Sequence, residues 1–65
     1  MKIDPIKFKM ARENAGVSRS DIAKVAGVSV QRIWQVETES ISRMNPVLVG
    51  LIAKKLNINI KELEG

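Results

Sequence analysis

The sequence has no cysteine and no histidine. The first absence rules out a disulfide framework and thiolate ligands for zinc; the second removes the commonest general base and metal ligand. Together they leave little from which to build a nucleophile, an acid–base pair or a metal centre, so the expectation is a protein that is not an enzyme and carries no cofactor and no metal. Tyrosine is also missing, and the aromatics are one phenylalanine and one tryptophan. No apolar run approaches the roughly 20 residues of a membrane span. Met1 to Asp4 alternate charge and apolarity and lead into Pro5 without an apolar core, the pattern of neither a leader nor an anchor. A soluble, cytoplasmic protein is expected.

What is present is a chain that can fold. Apolar residues make up 45% of its 65 positions, enough for a globule, and the length allows one domain spanning 1–65. Its core must be thin, because a chain of this size buries only about 60% of the surface it exposes when unfolded. Eleven Lys and Arg against seven Asp and Glu give a net charge of +4. That excess fits a polyanionic partner, and fits equally a solvated surface that happens to be basic.

Stop and start signals divide the chain into short helices. Asp4-Pro5 opens the first, with a capping carboxylate before a proline at the first helical position. Phe8, Ala11 and Ala15 form its apolar face, and Gly16 ends it. Ser18, with Asp21 three residues on, starts a second helix that buries Ile22, Ala23 and Ala26 and stops at Gly27. Ser29 caps a third, running from about Val30 to Glu37 with Ile33 and Val36 inward. Residues 38–44 read as loop or as a frayed extension of that helix. Asn45-Pro46 repeats the cap-and-proline start, and Leu48, Leu51, Ile52 and Leu56 give the fourth helix its stripe. Asn57 is a left-handed stop, Asn59 caps a last short turn with Glu62 at its third position, and Leu63 docks that turn on the core. The expected fold is all-α, with five short helices.

The second and third helices, joined by Gly27-Val28-Ser29, carry the most specific pattern. Two short helices crossing steeply need a small residue at their closest approach, a turn residue free to take positive φ, and apolar anchors on the buried sides. Ala23 meets the first need and Gly27 the second; Ile22, Ala26, Val28, Ile33 and Val36 meet the third. On these residues the chain resembles the Cro and repressor family of lambdoid phages and the wider XRE class of bacterial helix-turn-helix regulators, over nearly its whole length. The resemblance implies a lambda-repressor-like DNA-binding domain and an ion pair between Arg12 and Glu37, which match a family arginine and the glutamate closing the recognition helix. The chain departs from the family pattern at Arg19, where glutamine is common, and at Glu39, where glycine is frequent. Its loop before Pro46 is about three residues longer than in compact members.

Helical rotation of about 100° per residue sets Ile33, Val36 and Glu37 on one side of the third helix and Gln31, Gln35 and Thr38 on the other. An amide both donates and accepts and pairs well with adenine, so Gln31 and Gln35 are candidates for base edges. Val30 and Trp34 offer apolar surface of the kind that meets a thymine methyl, and Arg32 lies on the rim. Trp34 fits packing under the loop or against a partner as well. For phosphate the candidates are Arg19 and Ser18 at the start of the second helix, with Ser29, Thr38, Arg43 and Asn45. The two serines are explained equally well as plain N-caps. Ile41 and Met44 are the candidate dimer surface, or else core.

The reading that follows is a sequence-specific regulator of transcription, of phage or mobile-element type. It binds a double-stranded DNA operator as a homodimer in the bacterial nucleoid, with no membrane and no small-molecule ligand involved. The competing reading is a protein-binding module on the same fold, an antirepressor or antitoxin, with Trp34 and the loop as its contact patch.

Overall fold

In a computed structural model, residues 1–40 and 42–65 are described. Asp4 turns the extended N-terminal segment into the first helix, its carboxylate accepting from the Ile6 and Lys7 amides at 2.9 and 3.1 Å. Pro5 takes the first helical position, where no amide donor is required. Helix α1 then covers Pro5–Asn14 and buries Phe8. Ser18 caps α2 (Arg19–Ala26) by accepting from the Asp21 amide at 3.1 Å. At Gly27 the backbone takes φ 68°, which a side chain would oppose, and the Val28 amide returns to the Ala23 carbonyl at 3.0 Å. This leaves room for a turn of three residues before α3 (Val30–Thr38), whose cap Ser29 accepts from the Arg32 amide at 3.1 Å. Helix α4 (Pro46–Leu56) begins on Asn45, which accepts from the Val47 amide at 2.8 Å, and stops at Asn57 with φ 57°.

One apolar core serves all four helices. Phe8, Ile22, Ile33, Val36, Val49, Ile52, Ile3 and Leu63 are completely buried in it. Leu51, expected on the inward stripe of α4, is instead 42% exposed, and Val49 and Ala53 complete the buried face with Ile52 and Leu56. Among the described residues the α-helices are α1 to α4; the expected fifth is a 3-10 turn at Ile60–Glu62. Three residues cannot close an i to i−4 bond among themselves. The turn is held by a reciprocal capping box, Asn59 accepting from the Lys61 amide and Glu62 from the Asn59 amide.

A small antiparallel ribbon adds to the helices. Strand β1 (Lys2–Ile3) pairs with β2 (Ser42–Arg43), with Lys2 opposite Arg43 and Ile3 opposite Ser42. Met1 and Met44 extend the ladder by exchanging bonds at 2.9 and 3.0 Å. The segment read as loop is therefore strand in part. Glu39 leaves α3 in extended conformation (φ −77°, ψ 152°), so this exit needs no glycine, and its carboxylate accepts from the buried Ser42 hydroxyl at 3.2 Å. The pairing packs Met44 into the core at 6% exposure, which removes it as a dimer surface. Ile41, named with it, lies outside the described residues.

Candidate nucleic-acid interface

Helix α3 sits with one side in the core and the other in solvent. Ile33, Val36 and Glu37 are buried; Gln31 and Thr38 are exposed and Gln35 is half-buried. Val30 and Trp34, one turn apart, are 47% and 51% exposed. Trp34 is thus a half-open surface residue. The glutamines and the two apolar side chains make one outward strip of hydrogen-bonding and apolar groups.

Glu37 organises one rim of this helix. Its carboxylate is fully buried and accepts three N–H groups: Arg12 Nε at 2.7 Å, Arg12 Nη2 at 3.1 Å and Arg19 Nε at 3.1 Å. Arg12 is a bidentate partner, nearly buried, and also donates Nη1 to the Val17 carbonyl at 3.0 Å. Arg19 is 37% exposed and uses only Nε. Among the described residues its two terminal nitrogens are unpaired, so they point no bond inward and remain free for an anion. Two cations on one carboxylate leave the cluster at +1. The Arg19 tie was not foreseen from the sequence, because residues eighteen apart on two helices share no pattern in a single chain.

The opposite rim is held by Arg32, whose Nη2 donates to the Arg43 carbonyl at 2.6 Å. That bond joins α3 to β2 and commits part of the guanidinium expected at a base. The Thr38 hydroxyl donates to the Trp34 carbonyl at 2.9 Å, one turn back within the helix, and so is spent internally. Ser18, Ser29 and Asn45 all cap helices through an accepting oxygen, as described above, and both serine hydroxyls keep their hydrogen. Arg43 is exposed on β2.

A model of the helix-turn-helix family matches residues 8–63, nearly the whole domain. The chain belongs to that family, in its lambda-repressor and Cro-like class. It is therefore a DNA-binding helix-turn-helix regulator, α2 and α3 being the motif's two helices. No curated protein sequence matches the chain. Within the described residues, no helix is long and apolar enough to cross a membrane.

Proposed function

We propose that this helix-turn-helix protein is a sequence-specific transcriptional regulator of the phage or mobile-element Cro and repressor type, which places α3 in the major groove of a double-stranded operator. The observation that carries the proposal is the outward strip of α3. Gln31 and Gln35 present amides, Val30 and Trp34 present apolar surface, and the helix is bounded by arginines on both rims. A major groove offers adenine edges and thymine methyls to such a strip and phosphates to its margins. Arg19, with Ser18, is the phosphate anchor on one side. Arg43, Ser29 and Asn45 are the further phosphate contacts.

Binding as a homodimer follows from how little one helix reads. Nine residues present three or four side chains to base edges, and two half-sites one turn apart double that number. No chemistry beyond recognition is assigned, and no small molecule is needed for it.

Selection from a random duplex pool, followed by isotherms on selected and scrambled DNA at several salt concentrations, tests the reading. Gln31→Ala loses about 1–3 kcal/mol on the best site and relaxes preference at one base pair per half-site. Arg19→Ala weakens all duplexes by a similar factor and lowers the salt slope by about one per subunit. Equal weakening of both DNAs by Gln31→Ala, with base preference intact, would mean α3 is not the reading element. Binding to a protein instead, with no salt-dependent affinity for any duplex, would favour the antirepressor or antitoxin reading.

A further inference from the structure

The β1–β2 ribbon brings two cations face to face. Lys2 and Arg43 are directly opposed across the antiparallel pair, and both are exposed. Like charges in that register repel, and strands gain nothing from keeping them there. Among the described residues the ion pairs are those of Arg12 and Arg19 with Glu37, so neither Lys2 nor Arg43 has a carboxylate within 4.0 Å. The ribbon is also fixed relative to α3, because the Arg43 carbonyl accepts from Arg32 at 2.6 Å. Strand β1 lies ahead of the residues matched by the family, which begin at residue 8.

We propose that the ribbon is a phosphate-gripping element, Lys2 and Arg43 together holding the DNA strand that borders α3 on its Arg32 side. This inference rests on the DNA-binding reading of α3. The geometry behind it is two-sided. On the helical wheel Arg32 and Glu37 fall on opposite margins of the outward strip, so Arg19 flanks one side of the helix and the ribbon the other. A helix lying in a major groove has a phosphate backbone along each side. The unpaired charge of Lys2 and Arg43 is therefore complementary to the second backbone, and the repulsion between them is relieved when a phosphate lies between.

The test is the salt dependence of binding to a mixed-sequence duplex, measured for the full chain and for Lys2→Gln, Arg43→Gln and the double variant. These changes spare the scaffold, since the bonds at both positions use main-chain carbonyls: Arg43 O accepts from Arg32, and Lys2 O accepts from the Gly65 amide. Lys54→Gln/Lys55→Gln removes the same charge from the last turn of α4, about 12–14 Å along that helix from its first residue Pro46. Each ribbon variant should lower the slope of log K against log salt by about 0.9 per subunit and the double by about twice that. The α4 variant should leave the slope near wild type, and the melting temperature of the ribbon double variant should equal or exceed wild type at low salt. A double variant with the wild-type slope overturns the proposal, as does an equal drop in the α4 variant. If the wild-type chain binds no duplex at any salt, the DNA reading itself fails, and the ribbon proposal falls with it.

Discussion

Removing Arg12 should cost far more stability than removing Arg19, although both bind the same carboxylate. Arg12→Ala strips two of three donors from a Glu37 side chain with no solvent exposure. Breaking a buried pair in this way typically costs about 3–5 kcal/mol, because the remaining charge is left uncompensated. Arg19→Ala removes one donor that is 37% exposed, where the interaction is screened and worth about 0–1 kcal/mol. Total stability for 65 residues is on the order of 3–10 kcal/mol, so the first variant approaches the limit of folding and the second does not.

For a domain of this size each kcal/mol moves Tm by about 4–8 °C. Thermal melts followed by circular dichroism should therefore show Arg12→Ala lower by upwards of about 12 °C and Arg19→Ala by less than about 8 °C. The pair term itself comes from a cycle. Arg12→Ala/Glu37→Ala should be less destabilised than the sum of the single variants, since the double leaves neither charge stranded. Strict additivity, or equal losses for Arg12→Ala and Arg19→Ala, would refute the claim that burial makes this pair a brace.

Three further outcomes are expected. Gly27→Ala and Gly50→Ala should have opposite signs in the same melts: a Cβ at either meets nothing within 4 Å, but Gly27 has φ +68° while Gly50 is in the interior of α4. The first should lose about 1 kcal/mol and the second gain about 0.5–1 kcal/mol. Trp34, the single tryptophan and 51% exposed, should emit as a solvated indole, be quenched by iodide, and become protected when operator binds; protection in the free protein would contradict its placement. Sedimentation should show two subunits on a palindromic site, and a strict one-to-one complex on a non-palindromic one would exclude the homodimer.

The helices were legible because each carries its own boundary chemistry. Asp4-Pro5, Ser18, Ser29 and Asn45-Pro46 are local signals, and each caps the helix it precedes. Gly27 and Asn57 are equally local, as left-handed stops. The ribbon was not legible. Two-residue strands have no alternation to detect, and Lys2 meets Arg43 only through pairing across forty residues. The sequence left Met44 open between dimer surface and core for the same reason, since its burial depends on that pairing. On α4 the stripe was read one step off at Leu51, because with apolar residues on most sides of Pro46–Leu56 periodicity alone does not pick the buried face. At the candidate interface the outward strip of α3 followed from rotation, but the partners of its rim arginines did not.

Those rim partners explain why a helix with so few core residues can hold a reading position. Only Ile33 and Val36 of α3 bury apolar side chains, and two such anchors close together leave a nine-residue helix free to roll about its axis. Rolling is resisted by bonds on its margins. On one side Glu37 is fixed by Arg12 of α1 and Arg19 of α2; on the other Arg32 is fixed to the Arg43 carbonyl of β2. Replacing a buried ion pair with apolar residues of like volume is often neutral for stability. An apolar pair in place of Arg12 and Glu37 would, however, give up the directional bonds that set the roll of the helix. Arg12→Met/Glu37→Leu should then keep a melting temperature near wild type yet lose base preference at the positions met by Gln31 and Gln35. Retention of full sequence preference by that stable variant would show that packing of Ile33 and Val36 alone sets the attitude of the helix.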